Sequence, residues 1–152
     1  MLKKILDKST CAKCRLCCSF VQSDAWETPV FTKTDFDYNE NWFKKYGYNS
    51  HTLKFEFKDD AEIKLCPYLN ENTGCTLSEA DKPFDCKIWP LRLMKKNGRL
   101  VIALAPICKG LGEKDITKIN ELLDSGLYEE IMKHAGEKDI IKEYNDEYIL
   151  IK

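Results

Sequence analysis

Residues 11–18 read CAKCRLCC, so half of the chain's eight cysteines lie within one short segment. The other four are spaced downstream, each near a sequence that is typical of a turn, a strand end or a helix start. They are Cys66, Cys75, Cys86 and Cys108. A thiol content this high has three physical explanations: a disulfide framework, ligands for a metal ion or an iron–sulfur cluster, or a redox relay. The rest of the sequence discriminates between them.

Length and composition indicate one globular domain. The chain has 152 residues, of which 43% are hydrophobic and 32% are charged, a balance typical of a folded protein with its own core. The formal net charge is −1. Nucleic-acid-binding surfaces carry a basic excess, so the composition predicts no nucleic-acid partner.

The N-terminal residues do not match a secretion signal, because the apolar pair Ile5-Leu6 is interrupted at once by Asp7. No apolar run approaches the length of a membrane span. We therefore expect a cytoplasmic protein with no membrane association, in a compartment where thiols stay reduced. That expectation favours metal ligation over disulfides. Cys17 and Cys18 are adjacent and could pair with each other only in a strained ring.

Two β-hairpins are predicted. Alternating apolar residues over 53–57 and 63–65 indicate the first, whose second strand would end at Cys66. Apolar alternation on both sides of Asn97-Gly98 indicates the second, since this pair favours a two-residue turn with positive φ. Cys108 follows its last strand. Between the hairpins, Pro83 indicates the first turn of a short helix that carries Cys86, and Pro90 limits that helix to about two turns.

Helices are predicted elsewhere. An aromatic stripe over residues 34–47 indicates one, and Ile116, Ile119, Leu122 and Leu123 indicate another that stops at Gly126. Ile131, Ile140, Ile141 and Tyr144 suggest one or two more. The predicted fold is α+β: a single small domain with two antiparallel hairpins and short helices around a cysteine-ligated metal site. Residues 1–110 would form the metal-binding core, and residues 111–152 a helical extension packed on the same domain.

Cys11, Cys14 and Cys17 form two overlapping C-x-x-C units, in which a tight turn brings thiolates to one ion. The run also matches the first three cysteines of the bacterial ferredoxin signature. The fourth is absent at its expected position, and Cys66-Pro67 offers a remote Cys-Pro instead. Thiol-only ligation favours zinc or an iron–sulfur cluster over oxygen-seeking ions.

Cys18 is harder to interpret, because neighbouring side chains in an extended segment point in opposite directions. Either Cys17 and Cys18 serve two nearby sites, or Cys18 is a small buried apolar residue. The candidate metal ligands are Cys11, Cys14, Cys17, Cys18, Cys66, Cys75, Cys86 and Cys108. His51 and His134 lack a ligating partner at metal-site spacing and are expected to be solvated. Trp89, Arg92 and Arg99 could line a site near Cys86, although hairpin packing and surface charge are a simpler explanation.

These motifs together resemble the CxxCxxCC (YkgJ-type) family of cysteine-cluster proteins, to which zinc or iron chelation is attributed. The matching blocks are CAKCRLCC at 11–18, CPYL at 66–69, Gly74-Cys75, KPFDCKIWP at 82–90 and a final Cys108. The chain departs from the family pattern at four places: Arg15 replaces a glycine, Leu77-Ser78 replaces Ile-Tyr, and Lys82 and Lys87 replace arginines. The resemblance implies cysteine-bound metal in a bacterial or archaeal cytoplasm. It also suggests an accessory role, since the family occurs attached to protein lysine N-methylases.

The sequence thus predicts a metal-binding protein with an accessory or redox role and a protein partner. The cofactor would be an iron–sulfur cluster, slightly preferred, or Zn²⁺, held by the CxxCxxCC run and the downstream cysteines. One alternative is a metal-dependent enzyme or enzyme subunit with an open coordination position. The other is a structural zinc module that presents a surface for protein interaction. No catalytic residue is identified.

Overall fold

Three small antiparallel sheets and four α-helices make up the part of the chain that the structure describes. The structure is a computed structural model and describes residues 2, 5, 8–22, 29, 58–66, 68–108, 110–111, 115–137 and 141–152. The helices are α1 (Lys8–Cys14), α2 (Phe84–Ile88), α3 (Ile116–Leu122) and α4 (Tyr128–His134). The strands are β1 (Ser19–Phe20), β2 (Lys64–Leu65), β3 (Leu69–Asn70), β4 (Gly74–Cys75), β5 (Leu91–Lys96), β6 (Arg99–Leu104) and β7 (Ile149–Leu150). The predicted α+β class is correct.

The hairpin around Asn97-Gly98 is confirmed. β5 and β6 pair in register from Leu91 opposite Leu104 to Lys96 opposite Arg99. Asn97 has φ 53° and Gly98 has φ 75°, as a two-residue turn that matches the strand twist requires. The helix before it is also present, although Pro83 directly precedes α2 rather than lying in its first turn.

Of the other predicted hairpin, only the second strand lies within the described residues. β2 pairs with β1, with Ser19 opposite Leu65, so the strand before Cys66 adds to the strand after Cys18. The strand expected over 53–57, the helix expected over 34–47 and His51 lie outside the described residues. A hairpin that the sequence analysis missed joins β3 and β4. Its turn is stabilised by Asn70, whose Oδ1 accepts hydrogen bonds from the backbone N–H groups of Asn72 and Thr73.

One face of the β5–β6 hairpin forms the apolar core with the C-terminal helices. The core residues are Leu2, Ile88, Leu91, Leu93, Ile102, Leu104, Leu111, Ile119, Leu123, Leu127 and Ile131. Each such side chain contributes about 1.5–3 kcal/mol when fully buried. Because side chains alternate along a strand, Arg92 and Ala103 lie on the opposite face, and both are buried. That second face is the one directed towards the cysteines.

The C-terminal segment contains both expected and unexpected structure. Gly126, with φ 112°, separates α3 from α4, as its predicted role as a helix stop requires. His134 was expected to be solvated, but it is half-buried and stacks on Phe84 with ring centroids 3.9 Å apart. The stacking joins α4 to α2, the helix that carries Cys86.

Beyond α4 the chain returns to the sheet. Ile141 and Tyr144 were expected to be helical but are not; the backbone N–H of Lys95 donates to the carbonyl of Lys142 (2.9 Å), and β7 pairs with β6. Asn145 then forms a turn before β7, in which its Oδ1 accepts a hydrogen bond from the N–H of Glu147. Ile140, which was also expected to be helical, lies outside the described residues. Among the helices of the described residues, none has both the length and the apolar character needed to cross a membrane.

Candidate metal centre

The first CxxC unit, from Cys11 to Cys14, lies on a helix rather than in a loop. Cys11 and Cys14 are one turn apart on α1, so their side chains lie on the same face. The helix ends at Cys14, and the next residue, Arg15, has a left-handed φ of 59°. This is a conformation that glycine adopts most easily. Arg15 tolerates it while its Nε donates to the carbonyl of Ala12 (3.2 Å) and its guanidinium donates to the carbonyl of Glu71.

The 3₁₀ turn Leu16–Cys18 then leads directly into β1. The backbone N–H of Cys66 donates to the carbonyl of Cys18 at 2.7 Å, so the β1–β2 pairing brings these two cysteines together. Gly74 packs closely against Ala12 of α1, which brings Cys75 beside the same helix. Cys86 lies on α2, and Cys108 follows β6.

The eight thiols surround two adjoining cavities. The larger has a volume of about 130 Å³ and is bordered by six cysteines: Cys11, Cys17, Cys18, Cys66, Cys75 and Cys86. The smaller has a volume of about 20 Å³ and is bordered by Cys11, Cys14, Cys17 and Cys108. Two of the thiols, Cys11 and Cys17, therefore border both cavities.

Cys11 borders both cavities and interacts with all the other cysteines of the smaller one. Burial raises the pKa of Cys11 to about 11; Cys17, Cys108 and Cys14 contribute to this rise, and Lys82 opposes it. Burial likewise raises the pKa of Cys108, against an opposing effect of the backbone N–H groups of residues 110 and 111, and Cys17 and Cys14 add to the rise. We call Cys11, Cys14, Cys17 and Cys108 the Cys11 set.

The remaining four form the Cys18 set: Cys18, Cys66, Cys75 and Cys86. A hydrogen bond with Cys17 lowers the pKa of Cys18, but a hydrogen bond with Cys66 and burial outweigh it, and the pKa rises to about 12. Burial raises the pKa of Cys86, with further contributions from Cys18, Asp85, Cys75 and Cys17. Cys18 therefore lies among other thiols, which disfavours its interpretation as an isolated apolar residue.

Cys17 and Cys18 form the junction of the two sets. Their thiols are hydrogen-bonded to each other, and this bond, followed by burial, raises the pKa of Cys17. The charge of Arg92 acts in the opposite direction and lowers it. The sequence analysis had left open whether this adjacent pair serves two sites, and the tertiary arrangement favours that alternative.

Charged side chains border the larger cavity. Arg92 is only 4% exposed, and its guanidinium lies 4.1 Å from the centroid of the Trp89 ring. Asp85, which the sequence analysis missed, is also buried there; nothing in its local sequence distinguishes it from a surface acid. Trp89 and Arg92 thus border the site, as one interpretation of the sequence suggested. Arg99 is exposed and is not among the described residues that border either cavity.

The two lysines that stand where the resembling family has arginines also border the larger cavity. Lys82 forms an ion pair with Glu79 at 2.6 Å, and the Nζ of Lys87 donates to the carbonyl of Ala80 at 3.0 Å. Burial would lower the pKa of Lys82, but the hydrogen bond with Glu79 raises it overall. These contacts hold both lysine side chains at the edge of the larger cavity.

The thiols are grouped, but they do not already form a coordination sphere. All eight are free cysteines and half-buried. Among the described residues, which include every cysteine, no three His, Cys, Asp or Glu side chains converge on one ion. Ligation therefore requires thiol deprotonation and side-chain rotation. The donors are sulfur alone, which fits zinc or an iron–sulfur cluster.

No protein-family model, curated protein or solved structure matches this chain. The resemblance to the CxxCxxCC family therefore stays a prediction from sequence motifs. Function has to be argued from the cysteine geometry and its surroundings.

Proposed function

We propose that the protein binds metal through two four-cysteine sites, one formed by the Cys11 set and one by the Cys18 set. The observation that carries the proposal is the arrangement of eight reduced thiols around two adjoining cavities. The cofactor is an iron–sulfur cluster, slightly favoured, or zinc, because both take thiolates as their only protein ligands.

The split between Cys17 and Cys18 supports two sites. In two-cluster bacterial ferredoxins, three cysteines of a C-x-x-C-x-x-C run serve one cluster and the next cysteine serves the other. Here Cys11, Cys14 and Cys17 belong to one set, and Cys18 belongs to the other. Cys17 and Cys18 follow one another in the 3₁₀ turn Leu16–Cys18, so a single backbone step divides the ligands between two neighbouring centres.

Buried cations fit a thiolate-bound metal. Four thiolates around one divalent ion leave two negative charges, which a poorly solvated site must offset. Arg92 lies beside Cys17 at the cavity wall, and Lys82 lies near Cys75 and Cys86. The same walls include apolar side chains such as Phe20 and Trp89, which exclude water.

The biological role that we propose is that of an accessory or redox protein acting with a protein partner in the cytoplasm. A bound iron–sulfur cluster would supply one-electron chemistry, and zinc would supply structural stability. The protein's own residues hold the thiols in two groups, offset their charge and limit access of water.

The direct test is metal analysis of the full chain purified without oxygen. We expect iron with acid-labile sulfide, zinc, or both, in amounts near whole numbers per chain, and visible absorption wherever clusters are present. A colourless protein with stoichiometric zinc and no iron would support the structural zinc module instead. A protein that binds neither metal, even after reconstitution under reducing conditions, would overturn the proposal.

A metal-dependent enzyme is the second candidate, because the larger cavity is bordered by ionisable groups besides the thiols. Buried Asp85 and Arg92 both lie at its wall. A catalytic metal keeps an open coordination position, whereas a structural one is closed by four protein ligands. Binding of an added thiol or cyanide directly to the metal, seen by X-ray absorption, would favour the enzyme.

A further inference from the structure

We propose that the two sites hold different occupants: the Cys18 set an iron–sulfur cluster of several atoms, and the Cys11 set a single zinc ion. The inference rests on the proposed function, that the thiols bind metal, and goes beyond it by assigning a cofactor to each set. It follows from the size of the two cavities, the placement of their thiols and the charge of their walls.

The cavity volumes differ by more than sixfold, about 130 Å³ against about 20 Å³. A water-sized probe occupies roughly 10–15 Å³ in such a cavity, and a cavity of about 150 Å³ accepts a benzene molecule. The smaller cavity therefore accommodates one or two atoms, and the larger accommodates a group of several atoms.

A single tetrahedral ion is too small for the larger cavity. With zinc–sulfur bonds of about 2.3 Å, the four sulfurs of a zinc site lie only about 3.8 Å apart and enclose just the ion. The Cys18 set instead lies around an open volume of about 130 Å³. In an iron–sulfur cluster each thiolate binds a different iron, so such an arrangement needs no common point.

The Cys11 set suits one ion. Cys11 and Cys14 lie one helical turn apart at the edge of the smaller cavity, and Cys17 and Cys108 complete its border. The CxxCxxC spacing also occurs in ferredoxins, but there one loop supplies all three ligands. Here the first two lie on α1, so the spacing alone does not select a cluster. The small volume between the thiols selects a single ion.

The two cavities also differ in the charged residues that border them. The larger cavity is bordered by Lys82, Lys87 and Arg92, with Glu79 and Asp85 as the acids. Among the described residues that border the smaller cavity, none is charged. Charge, hydrogen bonds and burial are the features by which a protein sets the properties of a cluster. These features lie at the wall of the larger cavity, which the whole Cys18 set borders together with Cys11 and Cys17.

The experiment uses the full chain, reconstituted without oxygen with ferrous iron, sulfide and zinc together, followed by desalting. X-ray absorption at the zinc edge is expected to show four sulfurs at about 2.3 Å and no neighbouring metal. At the iron edge it is expected to show sulfur ligands and neighbouring irons. These measurements need no variant, so they test whether the two sites hold different occupants even if a substituted chain fails to fold.

Variants assign each metal to its set. We expect Cys75→Ser and Cys86→Ser to lose iron, sulfide and visible absorption while keeping one zinc per chain. We expect Cys14→Ser and Cys108→Ser to lose zinc while keeping the cluster. Lys13→Ser, an exposed change on the same helix as Cys14, is the matched control and should keep both.

Two zinc ions without iron, iron clusters at both sites, or the reverse assignment would each overturn the proposal while leaving metal binding intact. Loss of both metals from either group of variants would overturn the independence of the two sites. Failure of the proposed function has a different signature: a wild-type chain that retains no metal, or cysteine variants with unchanged metal content.

Discussion

Gly74 lies so close to Ala12 that a Cβ atom at position 74 would be 3.1 Å from both the Cα and the Cβ of Ala12. This approach packs β4 against α1 and brings Cys75 beside the helix that carries Cys11 and Cys14. Two parts of the chain separated by some sixty residues thus meet at a position where a Cβ would be closer than an ordinary van der Waals contact. The contact is a structural requirement of the cysteine arrangement.

Gly74→Ala should therefore be more damaging than Gly98→Ala, its matched control. Both glycines have a positive φ, 78° and 75°, so both variants carry roughly 1–2 kcal/mol of backbone strain. A Cβ at Gly98 meets nothing within 4 Å, whereas at Gly74 it adds an overpacking cost of about 1–3 kcal/mol. Urea unfolding of both variants checks this, and equal losses of stability would contradict it.

Arg15 allows a test of the left-handed helix end. Arg15→Gly and Arg15→Ala both lose the hydrogen bonds to Ala12 and Glu71, but glycine adopts φ 59° without strain. We expect the alanine variant to be less stable than the glycine variant by about 1 kcal/mol. Thermal unfolding compares the two directly. An alanine variant at least as stable as the glycine variant would show that the left-handed conformation is not kept.

Removal of the buried cation should weaken metal binding. Arg92→Met takes away the positive charge beside Cys17, and loss of a supporting residue outside the ligand set typically costs about 10–100-fold in metal affinity. Arg99→Met removes an equal charge from the exposed end of the same hairpin and should change little. Competition with a coloured chelator measures both affinities. Equal effects of the two variants would contradict a specific role of Arg92.

The metal-free and metal-loaded proteins should respond to pH in opposite directions. Burial and neighbouring thiols raise the pKa of Cys11 from 9.0 to about 11, and the pKa of Cys18 rises from 9.0 to about 12. The metal-free fold holds these protons more tightly than the unfolded chain does. The stability that these two thiols contribute is therefore fully present below pH 9 and is lost as pH rises through their pKa values in the folded state.

Metal binding requires thiolates, so the loaded protein binds fewer protons than the unfolded chain and gains stability as pH rises towards 9. Thermal unfolding with and without a chelator, under anoxic reducing conditions, measures both trends. If the stability of the two forms changed with pH in the same direction, thiolate ligation would be contradicted.

His134→Ala should loosen the contact between the C-terminal helix and α2. The Phe84 and His134 rings are stacked at an interplanar angle of 17°, and such pairs contribute about 0.5–1.5 kcal/mol. We expect a loss of that size in urea unfolding, and none from the exposed neighbour Lys133→Ala. If His134→Ala were as stable as the control, the stacking would contribute nothing.

Several features of the protein were determined by the sequence alone, because they depend on neighbouring residues. Asn97-Gly98 specifies a turn with two positive φ values, and Gly126, whose φ is also positive, ends a helix. For the proposed metal sites, the thiol-only donors and the C-x-x-C spacing favour zinc or an iron–sulfur cluster. These properties follow from local backbone preference and from the identity of the side chains.

Only the tertiary structure decided which thiols lie together. The pairing of β1 with β2 brings Cys66 to Cys18, and no short-range pattern predicts a partner so far along the chain. The same holds for β7, which adds to β6 where further helix was expected, and for the burial of Arg92 and Asp85. Pairing and burial depend on how the whole chain packs its apolar surface, and this packing divides eight cysteines into two sets at Cys17 and Cys18.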